Sequence, residues 1–313
     1  MGEQRAGRAS FMLVVVTLLW GVSFPWTKRL LAEASDCPGG ATLASLTLIA
    51  VRMALALALL ATWQPGVYRR PTWREHGAGV LLGATFFGGF APQTVGLAYT
   101  TPALSAFFTG LASAWAPLLG WALFGLSVPR LTFLGLGVAL AGTAVLVEGG
   151  FRLGPGEWLT IAASLAFAAQ ILMLDRLGRR FSPAHLTPGF FAATGALALL
   201  GAIATSTMGP GYLAWADWTG AILGHPRVVF DLLLLALLPT VLSFHWMNTY
   251  QPLVPASRAA LIYLLEPVFS SVFSVCLGYD TVTAPLLIGG GLILAGNLLV
   301  ELPGLLSRRV VDN

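Results

Sequence analysis

The string Gly135-x-Gly137-x-x-Leu140-Ala141-Gly142 returns about 154 residues later as Gly289-x-Gly291-x-x-Leu294-Ala295-Gly296. A proline within an apolar run keeps a similar rhythm, Pro117 in the first half and Pro267 in the second. Self-similarity at a fixed spacing means that one structural unit is built twice and packed against itself. The division falls between residues 1–150 and 151–313.

Both copies lie in surroundings too apolar for water. Hydrophobic residues make up 57% of the 313 and charged residues 10%, against roughly 25% charged in an ordinary soluble domain. Mean hydropathy is +0.80, and so few polar side chains cannot cover a water-exposed surface. The chain reads as an all-α integral membrane protein. Runs of about 20 apolar residues each span a bilayer as helix. Ten are expected, near 10–31, 43–63, 77–98, 102–125, 130–147, 157–178, 185–207, 229–250, 256–278 and 282–301. Connections as short as Tyr99-Thr100-Thr101-Pro102 and Tyr279-Asp280-Thr281 make neighbours antiparallel. The longest polar connection, Gly209 to Arg227, carries Trp215, Asp217, Trp218 and His225; its tryptophans suit a membrane interface.

Basic residues orient the chain. With the N-terminus inside, inner segments hold Arg5, Arg8, Arg69, Arg70, Arg74, Arg130, Arg176, Arg179, Arg180, Arg258, Arg308 and Arg309. The outer side holds Lys28, Arg29, Arg152 and Arg227, so the positive-inside rule makes both termini cytoplasmic. Arg5, Arg8 and the Ala32-Glu33-Ala34 triplet resemble a signal peptide. The apolar run from Phe11 to Trp26 is too long for one, and Lys28-Arg29 interrupts it, so it counts as helix one. The net charge of +4 comes from short loops and is no nucleic-acid footprint. Cys37 and Cys276 form no metal spacing. Both fall near the outer face; a disulfide is conceivable there, with two free thiols the expected state.

Five helices per unit is an odd number, so the second unit enters the membrane upside down relative to the first. Two inverted five-helix repeats are the pattern of a secondary transporter, with the solute site near the midplane between them.

Motifs across nearly the whole length carry a resemblance. Leu19-Trp20-Gly21-Val22-Ser23-Phe24, Val51-Arg52-Met53, Leu265-Glu266-Pro267 and the two glycine-rich helices resemble drug/metabolite transporters of the EamA-domain type. Within that superfamily the chain is most similar to aromatic-amino-acid exporters. The resemblance implies a bacterial-type inner membrane and export of amino acids or similar small metabolites by alternating access. Where the second half has Glu266-Pro267 the first has Ala116-Pro117, so any role of the glutamate belongs to one half.

Polar groups inside apolar helices mark candidate positions, because each is costly in hydrocarbon. Arg52 and Glu266 sit near the middle of their runs, as a binding or coupling pair or as locally satisfied structural charges. Helix breaks are expected at Pro92, Pro117, Pro239 and Pro267. Beyond Pro239 the eighth run turns polar, and His245, Asn248 and Thr249 share one face. Trp20, Ser23, Gln93, Tyr99, Gln170 and Tyr263 complete the cavity-lining set, which suits a small amphipathic solute. Gly79-x-x-x-Gly83 and the glycine-rich runs read as close helix contacts.

Other classes fit poorly. Gly135-x-Gly137 has no preceding strand and a misplaced third glycine, no P-loop is present, and the four histidines are scattered. No metal or cofactor is expected. A nucleotide-sugar carrier would need several central cations, and a cationic-drug carrier an acidic residue in helix one. A membrane-embedded enzyme or channel would need an acid/base cluster or a polar ring.

Overall fold

The computed structural model describes residues 2–66, 72–125, 127–146, 153–178, 180–254, 259 and 262–309, and among these it is helical throughout, with no strand. The helices are α1 (Gly2–Glu33), α2 (Gly40–Trp63), α3 (Trp73–Tyr99), α4 (Pro102–Gly110), α5 (Ala112–Phe124), α6 (Arg130–Leu146) and α7 (Pro155–Gly178). They continue as α8 (Pro183–Met208), α9 (Tyr212–Leu223), α10 (Pro226–Ala236), α11 (Ser243–Tyr250), α12 (Glu266–Cys276) and α13 (Ala284–Arg309). A π-helical segment, Leu237–Leu242, joins α10 to α11. Seven described segments are long and apolar enough to cross a membrane, and Arg130–Leu146, Glu266–Cys276 and Ala284–Val300 are shorter apolar helices.

Local chemistry explains the starts and stops. Thr72 and Glu75 form a reciprocal capping box at the start of α3, satisfying donors that a helix N-terminus otherwise leaves open. Pro102 opens α4 in the first turn, where its missing N–H costs nothing. Gly125 ends α5 in the left-handed conformation at φ +64°.

Glycine sets the packing, because apolar side chains gain little from leaving lipid for one another and close approach must supply the attraction. α6 and α13 run antiparallel in crossed register. A methyl group on Gly135 would lie 2.5 Å from the Gly296 carbonyl oxygen, and one on Gly142 would lie 2.6 Å from that of Gly289. The first glycine of each copy thus faces the last glycine of the other. α3 meets α7 through Gly96 and Gly156, and meets α8 where a methyl on Gly83 would lie 2.9 Å from that of Ala193. α1 lies on α12, with Gly21 against Phe269 and Ser270. The close contacts expected at Gly79 and Gly83 are present, whereas Gly137 and Gly291 face open space.

Two features differ from expectation. α3 runs unbroken through Pro92 and α5 through Pro117; the fourth run is interrupted instead at Leu111, between α4 and α5. Residues 212–223, expected as a connection, form helix α9, which is docked on the rest of the protein. The Trp215 indole donates to Thr47 Oγ1 at 2.9 Å and the Trp218 indole to Asp36 Oδ1 at 3.0 Å. Both rings are buried, because that docking satisfies their N–H groups inside the protein. The thiols are free, as expected, with Cys37 buried, where burial pushes its thiol pKa up, and Cys276 exposed. Of the basic residues used for orientation, Arg69, Arg70, Arg152, Arg179 and Arg258 lie outside the described residues.

Candidate functional site

The site is organised by what Pro239 does to its helix. Proline has no N–H to give the carbonyl of Leu235, and the chain responds with a π turn. The Thr240 hydroxyl donates to the Leu235 oxygen at 2.8 Å, and Ser243 Oγ donates to the Leu238 oxygen at 2.9 Å. Two residues from other helices seize the turn. The Trp20 indole of α1 donates to the Pro239 carbonyl at 3.1 Å, and Arg52 Nε of α2 donates to Thr240 Oγ1 at 2.9 Å. Adjacent backbone positions thereby bring an indole and a guanidinium together.

Aromatic rings fill the surroundings. Trp20 lies 5.6 Å from Tyr263 and 6.1 Å from Phe244, centroid to centroid. Phe244 continues to Phe190 at 5.1 Å and Phe191 at 5.8 Å, and Phe86 stacks on Phe90 at 4.9 Å. The Arg52 guanidinium lies over Phe90, 5.3 Å from its centre, within cation–π range. Arg52 is 8% exposed, yet no carboxylate among the described residues lies within ion-pair distance of it. Glu266 opens α12 with Pro267 behind it, one turn beyond Tyr263. No hydrogen bond or ion pair to its carboxylate is found among the described residues.

Several other charges of the described helices have partners. Arg29 pairs with Asp231 at 2.5 Å. Lys28 Nζ caps the end of α3, donating to the carbonyls of Leu97, Ala98 and Thr100 at 2.8–2.9 Å. Glu75 holds His185 Nδ1 at 2.9 Å, and Glu157 accepts from Thr100 Oγ1 at 2.5 Å.

The remaining candidates divide. Tyr263 belongs to the aromatic set, its hydroxyl donating to Gln251 Oε1 at 2.9 Å. Gln93 donates to Thr109 Oγ1 at 2.7 Å, joining α3 to α4. His245 lies beyond the π turn, its Nδ1 2.8 Å from the Gln64 amide and its ring edge-on to Trp63. Asn248 Nδ2 reaches Thr187 Oγ1 at a long 3.4 Å. Ser23 is spent on its own helix, donating to the Trp20 carbonyl at 2.7 Å. Gln170 is half-buried on α7, and Tyr99 is 57% exposed at the end of α3, on the perimeter. An open apolar cavity of about 530 Å³ lies between α2, α3 and α8, lined by Leu57, Ala61, His76, Val80, Pro188, Gly189 and Ala192. None of the candidate residues lines it.

Thr240, Phe90 and Phe244 carry little signal of their own, being ordinary members of apolar helices. Only the placement of a hydroxyl directly after Pro239 hints at a rescued carbonyl. Among the described residues no cluster of metal-ligating side chains occurs.

Similar proteins agree on the class. An uncharacterized transporter of Archaeoglobus fulgidus is 27% identical over 295 residues, covering 94% of this chain and 86% of its own. YvbV of Bacillus subtilis, also an uncharacterized transporter, is 25% identical over 305 residues, covering 94% of this chain and 92% of its own. A probable terminal-alkyne amino-acid exporter of Streptantibioticus cattleyicolor is 27% identical over 312 residues and covers 97% of both. One crystal structure superposes with a TM-score of 0.60 over 97% of this chain and 99% of the other, at 21% identity, which speaks to the fold alone. The EamA-like transporter family matches residues 7–148 and matches again over 154–302; this chain belongs to that family.

Proposed function

We propose that this multi-pass membrane transporter exports neutral amino acids, aromatic ones included, or similar small metabolites by alternating access. The carrying observation is the convergence at the Pro239 turn. From the first half Trp20 meets Phe244 and Tyr263 of the second and Arg52 meets Thr240, so an amphipathic set of groups lies where the halves join. Indole, guanidinium and phenyl rings together suit a solute with an apolar side chain and charged ends.

The architecture proposed is ten spanning helices in two inverted five-helix repeats, residues 1–150 and 151–313, with both termini cytoplasmic. The crossed glycine contacts of α6 and α13 support it. If position i of one copy faces position j of the other and j faces i, a pseudo-two-fold axis relates them. For antiparallel spanning helices that axis lies in the membrane plane, and each half can then adopt the conformation of the other.

The test is counterflow in proteoliposomes with labelled threonine, methionine, phenylalanine and a nucleotide sugar. Exchange of the amino acids and exclusion of the nucleotide sugar is the expected result. Exchange of the nucleotide sugar alone would replace this reading, although a lone central cation, Arg52, suits a diphosphate poorly. Chemical conversion of a lipid with no transport would move the protein to another class.

A further inference from the structure

We infer that Arg52 and Glu266 are the two halves of a zwitterion-recognition site: Arg52 takes the carboxylate of the solute and Glu266 its ammonium. This rests on the export reading above and assigns its chemistry to atoms.

The argument begins with how this protein treats charge in its apolar interior. Lys28 sits on three backbone carbonyls and Arg29 on Asp231. Glu75 is engaged by His185 and Glu157 by Thr100. Arg52 and Glu266 are less well satisfied: among the described residues the Glu266 carboxylate has no hydrogen-bond or ion-pair partner, and the Arg52 guanidinium has one hydrogen bond and no carboxylate. Arg52 is more than nine-tenths buried, and its one hydrogen bond among those residues uses Nε, on the side of the guanidinium away from the fork. The terminal nitrogens, which match a carboxylate in bidentate fashion, have no partner there. Glu266 is half-buried, so part of its surface remains accessible to a solute.

A continuous set of contacts connects the two. Arg52 holds Thr240, Trp20 holds the neighbouring Pro239, Trp20 packs on Tyr263, and Tyr263 precedes Glu266 by one helical turn. This run of contacts begins at Arg52, which also lies over Phe90, and ends at Tyr263, one helical turn before Glu266, so the two charges come from opposite halves of the chain. Either alone is expensive in hydrocarbon. A solute bearing one positive and one negative end, with an apolar side chain for Phe86, Phe90 and Phe244, satisfies both without adding net charge. Neither end by itself would do so.

The experiment compares three ligands that differ by single charges: L-phenylalanine, L-phenylalaninamide with its amine kept protonated, and 3-phenylpropionate. Each competes for counterflow in proteoliposomes with wild-type protein, Arg52→Gln and Glu266→Gln. Wild type is expected to prefer phenylalanine over both analogues by roughly 30-fold or more, since each analogue leaves a buried charge unpaired. Arg52→Gln should lose the preference over the amide while keeping that over phenylpropionate, and Glu266→Gln should do the reverse. Arg52→Lys and Glu266→Asp keep the charges and should keep both preferences, which separates recognition from a folding defect. Variants that shift all three ligands by one common factor, or a wild type that ignores the deleted charges, overturn the assignment. If the transported solute carries one charge or none, the assignment falls even though transport stands. If no solute moves at all, the export reading falls first.

Discussion

Gly142→Ala probes the crossed seam most directly. The added methyl would sit 2.6 Å from the Gly289 carbonyl oxygen and 2.8 Å from Ile293 N, where ordinary contact begins at 3.4 Å. α6 and α13 must then part by about 0.8 Å locally, since backbone cannot swing aside as a side chain would. Overpacking of this kind costs roughly 1–3 kcal/mol. Gly289→Ala acts on the same contact from the other side, at 2.7 Å from the Gly142 oxygen, and should cost about as much. The double variant should cost clearly less than the two added together, because the first methyl has already opened the space that the second needs. Gly135→Ala and Gly296→Ala, with facing distances of 2.5 Å each way, should repeat the pattern, while Gly137→Ala and Gly291→Ala face open space and should be silent. Thermal unfolding of detergent-purified protein, read by tryptophan fluorescence, supplies the numbers. Strict additivity of the Gly142 and Gly289 variants, or an equal loss from Gly137→Ala, would falsify the crossed arrangement.

Thr240→Val removes the acceptor of Arg52 Nε and the donor to Leu235, and should lower stability by roughly 2 kcal/mol; Thr240→Ser should restore most of it in the same unfolding assay. Lys28→Met strips three carbonyls at the end of α3 of their cap. Because Lys28 is only half-buried and water can replace part of the bond energy, a loss of about 1–2 kcal/mol is expected, checked by chemical denaturation. Cys276 is exposed and Cys37 buried. A membrane-impermeant maleimide applied to intact cells should modify Cys276 promptly and Cys37 slowly, if α12 ends outside as the basic residues indicate. Labelling of Cys276 only after the cells are opened would reverse the orientation.

Much of the fold is written in hydropathy, because a bilayer demands long apolar helices whatever their partners. The glycines were legible for a related reason. In lipid a missing side chain is the means of close packing, so Gly79, Gly83, Gly135 and Gly142 mark helix crossings even without knowledge of what they cross. Which partner each finds depends on three-dimensional register, and nothing local encodes that Gly135 faces Gly296. Proline was a weaker guide. Pro92 and Pro117 are absorbed inside continuous helices, while Leu111, with no breaking chemistry of its own, marks the real interruption. The site was half legible. Trp20, Arg52, Tyr263 and Glu266 announce themselves as polar groups in apolar runs. Ser23 does so too but spends its hydroxyl on its own helix, and Tyr99 points to the perimeter. Thr240 and the phenylalanines are invisible in advance because their importance lies wholly in what reaches them.

The π turn has a mechanical corollary. A wide turn holds one residue more than the α-helical path around it requires, and handing that residue along the helix would rotate everything beyond by about 100°. Phe244 and His245 lie in the first turn after it, so a single-residue slip would exchange the ring facing Trp20 and pull His245 off Gln64. Trp20 and Arg52, bonded to Pro239 and Thr240, would have to let go for that slip to occur. A spin-label pair on Thr187 and Thr249 should report two separations if the slip accompanies solute exchange, and a single fixed one if the helix never advances.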